Sequence, residues 1–246
     1  MSGETCGALL ALRRAIEGVL GEFPSYGHRR IAQALGRNKK CILRVMHLFG
    51  IKPYRRRGRK WRKTRTERVR YSNLLRLVTP SFAGCVWAAD FTEVAFKGRK
   101  LFVATVLDVY TRRIIGVAIS TAHNATLVSS ALGNALLSNS RPAIFHSDNG
   151  AEYNAGAFRA FLRRCGIAIS RSKKGCPWEN GYQEAFYSQF KVDLGDPNRF
   201  ESLGEFVAEI YHTVHVYNTE RIHSALLMSP RQFALLHAPA ILQAIV

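Results

Sequence analysis

The sequence predicts an α/β protein, a mixed sheet of five strands flanked by helices and preceded by a small all-α unit. Three observations carry that prediction. After Pro80, short apolar runs bounded by turn residues first meander and then alternate with helical stripes, the pattern of a mixed, helix-covered sheet. Before Pro80, apolar residues recur at helical spacing in two or three short segments. The 246 residues, 47% of them hydrophobic, allow one large domain or two modest ones with packed cores and exclude wholesale disorder.

In order along the chain, Leu9, Leu12, Ile16, Val19, Leu20 and Phe23 form one helical stripe closed by Pro24. Tyr26 to Leu35, a Gly36 break and a second stripe at Ile42, Val45, Met46 and Phe49 give two short helices around a glycine turn. Basic residues Arg37, Lys39, Lys40 and Arg44 fall on the open face of the second. This fits helix-turn-helix geometry, and it equally fits an ordinary helical hairpin. Residues 1–51 are assigned to this unit, 52–79 to a basic linker, 80–237 to the α/β core and 238–246 to a tail. In the core, Cys85–Ala89 reads as a buried strand ending at Asp90. Lys97-Gly98-Arg99 reads as a turn, Leu101–Leu107 as a strand ending at Asp108, and Arg113–Ile119 as a third strand. A helical face at 127–136, a strand at 143–145, a helix around Phe158–Cys165, a strand at 167–169 and helices near Glu184 and over 203–214 complete the reading.

The charge is unevenly placed. Residues 1–79 carry 20 Lys and Arg against 4 acids, while residues 80–246 carry 16 against 13, so nearly all of the net +19 lies in the first third. Between Lys52 and Arg70 stand eleven basic residues, among them Arg55, Arg56, Arg57, Arg59, Lys60, Arg62 and Lys63, against the single Glu67. Such a run repels itself unless a polyanion neutralises it, and nucleic acid is the usual one. A solvated linker or a localisation tract would carry the same charges. The five cysteines have no CxxC spacing, which argues against a disulfide framework or a cysteine-built zinc site. No secretory signal and no uncharged run of ~20 residues are found, so the protein is expected to be soluble and without a membrane partner.

Three acids have the setting for chemistry. Asp90 follows an apolar strand, Asp148 stands where another strand meets a loop, and Glu184 opens a helix. Carboxylates from two strands and a helix suit Mg²⁺, and two such ions ~3.5–4 Å apart serve phosphoryl transfer. Taken singly, each acid also reads as a turn or surface residue.

Together the motifs carry a resemblance. Trp87-Ala88-Ala89-Asp90-Phe91-Thr92 resembles a W-x-x-D-[IF]-T signature, and His146-Ser147-Asp148-Asn149-Gly150-Ala151-Glu152-Tyr153 an H-S-D-x-G-x-x-Y signature. Thirty-five residues lie between Asp148 and Glu184. Tyr217-Asn218-Thr219-Glu220-Arg221-Ile222-His223 through Leu226, then Ser229-Pro230, resembles a Y-N-x-x-R-x-H-x-x-L…P tail. These match the OrfB-type transposases of bacterial insertion sequences (the IS-three type), within the transposase and retroviral-integrase superfamily, over residues 25 to 235. The chain departs from the family at Glu179-Asn180-Gly181, Glu184-Ala185 and Ile222, and Glu179 is a rival for the third acid.

The resemblance implies a ribonuclease H-like core. It also implies Mg²⁺-dependent cleavage and strand transfer at the ends of a mobile element, with Asp90, Asp148 and Glu184 holding two Mg²⁺ ions, Mn²⁺ substituting. Asp108 is read as structural, bonding backbone or Arg112. His146 and His223 are read as hydrogen-bonded structural histidines, and Lys173, Lys174 and Arg221 as candidate phosphate contacts. The implied partners are terminal-repeat and target DNA, a second copy of the chain on DNA and an upstream OrfA product, in the bacterial cytoplasm at the nucleoid. The rivals are an inactive DNA-binding regulator and a nuclease that only hydrolyses. A retroviral-type integrase fits less well, because no His/Cys set before Pro80 has that group's zinc spacing.

Overall fold

The computed structural model describes residues 3–55 and 71–237. Three helices come first: α1 (Gly3–Glu22), α2 (His28–Ala34) and α3 (Lys39–Leu48). Strands β1 (Val86–Phe96), β2 (Arg99–Asp108) and β3 (Ile114–Ser120) follow, then α4 (Ala125–Ser138), β4 (Ile144–Ser147), α5 (Ala151–Asn154) and α6 (Gly156–Arg164). Strand β5 (Ala168–Arg171) and helices α7 (Gly181–Asp193), α8 (Leu203–Thr219) and α9 (Pro230–Leu236) complete the described chain. The sheet order is β3-β2-β1-β4-β5, antiparallel across the first three strands and parallel from β1 through β4 to β5.

Strand alternation explains how both faces of the sheet are covered. Val86, Ala88, Val94 and Phe96 of β1 share one core with Phe186, Tyr187 and Phe190 of α7 and Phe206, Ile210 and Val214 of α8. Trp87 and Ala89 point the other way, into a second core with Leu127, Val128, Ala131 and Leu132 of α4 and Phe158 and Leu162 of α6. Helix α4 lies so close to β3 that a Cβ on Gly116 would overlap the Ala131 carbonyl and stand 2.9 Å from the Ala135 Cβ.

The sequence expectation that the first strand ends at Asp90 is corrected. Strand β1 runs on to Phe96, because Thr92, Val94 and Phe96 continue the inward alternation and the ladder to β2 stays in register from Trp87–Asp108 to Phe96–Arg99. Asp90 is therefore a mid-strand residue opposite Thr105. The turn expected at Lys97-Gly98 is present, with φ of 44° and 79°. Helix α9, which sequence reading did not separate from the tail motif, starts from a capping box in which Ser229 and Gln232 exchange bonds.

The three amino-terminal helices pack around Ile16, Tyr26, Ile31, Ile42, Val45 and Met46. The α2–α3 turn uses Gly36 at φ 59°, and Asn38 caps α3 by accepting from Lys40 N at 2.8 Å. Arg37, Lys39, Lys40 and Arg44 are all exposed, as is Arg55 beyond them. Arg56, Arg57, Arg59, Lys60, Arg62 and Lys63 lie outside the described residues, as does the 238–246 tail.

What joins this unit to the core is Arg221, one of the candidate phosphate contacts. Arg221 is not an exposed side chain: it is 3% exposed and ion-paired with Asp193 of α7. The guanidinium also donates to Ser25 Oγ at 2.7 Å and to Gln189 Oε1. The next backbone N–H, of Ile222, donates to Tyr26 Oη at 2.7 Å. A guanidinium so enclosed is spent on holding α7 to the turn between α1 and α2.

Removing it would strand Asp193 in a poorly solvated place. Arg221→Ala is expected to cost about 3–5 kcal/mol in urea unfolding. Unchanged stability with weakened DNA binding would instead return Arg221 to the role of a phosphate contact.

Candidate active site

The three acids arrive from the elements just described. The parallel pairing of β1 with β4 runs from Val86–Ile144 to Ala89–Ser147, so the next residue on each strand is Asp90 and Asp148. Paired strands lie about 4.8 Å apart, which by itself places these two carboxyls side by side. Helix α7 crosses the same end of the sheet. Its buried Gln183 donates to the Ala88 carbonyl at 2.7 Å and accepts from Thr105 Oγ1 at 2.9 Å, and Tyr187 donates to the Asp90 carbonyl at 2.7 Å. With Gln183 and Tyr187 fixed against the strands, Glu184 stands exposed at the rim.

Asp90, Asp148 and Glu184 line one cavity of about 310 Å³ together with Ser172, Lys173, Lys174 and Asn180. Among the described residues no group of three His, Cys, Asp or Glu is drawn tight enough to hold an ion. The electrostatics of the three carboxyls are nonetheless those of one site. Burial, then the Asp148 charge and that of Glu184, push Asp90 up to about 8, against the lowering effects of a bond from Phe91 N and of Lys191. Burial raises Asp148 too, while a bond from Gly150 N at 3.0 Å and the nearby Arg171 pull it down and Glu152 pushes it further up. Burial also raises Glu184. The negative potential is thus left partly uncompensated.

The donor set fits a hard divalent cation, which takes oxygen ligands. Besides the carboxyls, Asn180 lines the cavity, and its Oδ1 is buried without a hydrogen-bond partner while Nδ2 donates to the Ala89 carbonyl at 3.2 Å. A buried amide oxygen left unpaired costs about 1–3 kcal/mol, so it is a place for a ligand or a ligand's water.

The other candidates fall where the sequence left choices open. Glu179 belongs to a different cavity; it accepts from Lys173 N at 2.8 Å and pairs with Arg76, so Glu184 is the acid that faces Asp90 and Asp148. Asp108 is structural, accepting from the Gly84 and Thr111 amides at 2.6 and 2.8 Å and from Thr111 Oγ1. His146 is fully buried against Ser170 Oγ at 2.8 Å, and burial lowers it to about 4. Lys173 and Lys174 are exposed at the cavity mouth. Sequence reading missed Asn180 and Arg171. Arg171 is fully buried, donates to the Tyr153 carbonyl at 2.8 Å, and is the positive charge set beneath Asp148. An arginine in a strand carries no signal of that kind in one sequence.

Comparison with known proteins gives the family and the fold. The integrase core domain family matches residues 82–177, and a second description of the same domain matches 165–230. The transposase for insertion sequence element IS904 of Lactococcus lactis is 30% identical over 219 residues, covering 85% of this chain and 87% of the relative. An uncharacterized 31 kDa protein of insertion element IS600 from Shigella sonnei is 32% identical over 220 residues, covering 85% and 81%. Among solved structures, the simian T-cell lymphotropic virus intasome in complex with the PP2A regulatory subunit B56 gamma aligns with a TM-score of 0.59. The identity is 15%, over 90% of this chain and 74% of that one, which supports the fold.

The raised Asp90 pKa has a consequence whose sign can be tested. A carboxyl at about 8 when folded and near 3.9 when unfolded binds more protons folded, so stability falls as pH rises between those values. Asp90→Asn removes that loss. Without divalent ions, thermal melts of the two proteins are expected to converge toward acid pH and to diverge toward about pH 8, with the variant the more stable. Parallel curves would contradict the assignment.

Proposed function

The chain belongs to the DDE-type transposases of bacterial insertion sequences, whose catalytic unit is an integrase core domain, and from that premise we propose that it cuts and joins DNA at the ends of such an element. The observation that carries the proposal is the single cavity into which two adjacent strands and one helix bring Asp90, Asp148 and Glu184.

In this reading Asp90, Asp148 and Glu184 hold Mg²⁺, with the Asn180 amide oxygen as a further acceptor at the same cavity. Bound magnesium supplies Lewis-acid activation of the attacking oxygen and stabilises the leaving one in an in-line displacement. The chain's own residues do the rest. Asp90 sits mid-strand and Glu184 is fixed through Gln183 and Tyr187, so the acids keep their spacing while DNA enters and leaves. Lys173 and Lys174 meet the phosphates flanking the reacting one. With the core's charge nearly balanced, DNA affinity comes mainly from the amino-terminal third. Arg37, Lys39, Lys40 and Arg44 on and before α3 approach the groove, and Arg55 with the basic tract beyond it neutralises backbone phosphates. Joining two ends calls for at least two copies of the chain on DNA, and an OrfA product would add further DNA binding. In this reading the protein works at the bacterial chromosome; no helix among the described residues is long and apolar enough to cross a membrane.

Labelled duplexes from the DNA flanking the coding sequence test the reading. Wild-type protein with Mg²⁺ is expected to yield joined products, and chelation of the metal to abolish them. Glu184→Gln is expected to reduce joining to background while binding the same duplex within about twofold of wild type, since a rim acid contributes little to phosphate-driven affinity. Joining by the variant, or only hydrolysed products from the wild type, would overturn the proposal.

A further inference from the structure

A second cavity, of about 400 Å³, lies across the first turn of α7 from the acids, and its charge has the opposite sign. Its walls include Arg30 of α2, Arg112 from the β2–β3 turn, Tyr182 of α7, and Arg221 and His223 of the tail motif, and no acid is among its lining residues. Arg221 is already paired with Asp193. Arg30 lies over the Tyr26 ring, 4.8 Å from its centroid. The Arg112 guanidinium lies 4.2 Å above the centre of the Tyr182 ring, and its Nε and Nη1 are buried with no hydrogen-bond partner among the described residues. The Arg112 backbone is held at φ 64°, in the left-handed region that a residue with a side chain adopts at a cost. His223 adds no positive charge. Burial first, and then Arg112, Arg30 and Arg221, lower it to about 4. Among the described residues, Arg221 is the one of these three guanidiniums that forms an ion pair, with Asp193, while Arg30 and Arg112 lie against aromatic rings and have no carboxylate partner.

We propose that this cavity is a phosphate subsite for the backbone of substrate DNA, with Arg112 and Arg30 as its donors and Arg221 as its fixed floor. The inference rests on the cutting and joining proposed above. A phosphodiester supplies what the cavity lacks: a negative charge and oxygens that an arginine fork meets two at a time. Position supplies the rest. Asn180 and Glu184 line the acid cavity, whereas Gly181, Tyr182 and Ala185 line the basic one, so a single turn of α7 divides them. A helix about 10 Å across corresponds to roughly three nucleotides at ~3.4 Å of rise each. A strand whose reacting phosphate is at the acids therefore presents another phosphate to the arginines a few nucleotides along.

The test uses the full chain and two duplexes, one carrying the DNA that flanks the coding sequence and one of unrelated sequence as target, each with single phosphates replaced in turn by neutral methylphosphonates. Arg112→Gly removes the guanidinium while suiting the left-handed backbone, and Arg30→Ala removes the second donor without touching that turn. Either variant is expected to bind about tenfold more weakly at moderate salt, with the slope of log affinity against log salt smaller by about one. At one position near the reacting end, a methylphosphonate is expected to weaken the wild type and leave Arg112→Gly unaffected. The duplex that shows this position identifies the phosphate as belonging to the element end or to the target. Both variants keeping the wild-type salt slope and the wild-type methylphosphonate profile on both duplexes would overturn the subsite. If the wild type joins no ends but the position-specific effect persists, the joining reading fails and the subsite stands.

Discussion

Three carboxyls that repel one another are held at one cavity, and much of the core's architecture can be traced to that constraint. Asp90 and Asp148 are neighbours because β1 and β4 pair in parallel, an arrangement that needs the long excursion through β2, β3 and α4 between them. Glu184 is placed by side chains rather than by strand pairing. Gln183 and Tyr187 reach from α7 into the backbone of β1 and β2, spending buried polar groups to keep the helix from sliding away from like charge. The cost is visible in Asp90, raised to about 8, while at Asp148 the buried cation Arg171 works against the upward push.

Helix α7 is also the meeting point of the two halves of the molecule. On the sheet side it is fixed through Gln183, Phe186, Tyr187 and Phe190; on the other, Gln189 and Asp193 meet Arg221 and Ser25. A force on the amino-terminal helices is therefore felt by the helix that carries Glu184. Acid and basic cavities on the two sides of its first turn give the same element opposite electrostatic faces.

Much of this was legible in the sequence, for identifiable reasons. Apolar alternation and turn residues marked all five strands, and the three acids singled out by motif and spacing line one cavity. The limit of β1 was misread because Asp90 and the polar residues after it look like a strand's end, whereas the antiparallel partner β2 carries the ladder through them. The enclosure of Arg221 was not legible, because charge in a sequence suggests exposure and only the fold shows Asp193, Gln189 and Ser25 around it. Asn180 and Arg112 were named in the sequence but not as ligand-facing groups. Their significance lies in donor and acceptor atoms left without partners, which is a property of packing and not of pattern.

The central claim is that the acid cavity holds carboxyls short of a compensating cation. Calorimetric titration of the full chain with Mg²⁺ near neutral pH, in two buffers of different ionisation enthalpy, counts the protons displaced on binding. A carboxyl at about 8 must lose its proton to become a ligand, so binding accompanied by release of up to about one proton per chain is the predicted result. Binding with no proton release, or no binding at all, would contradict the account.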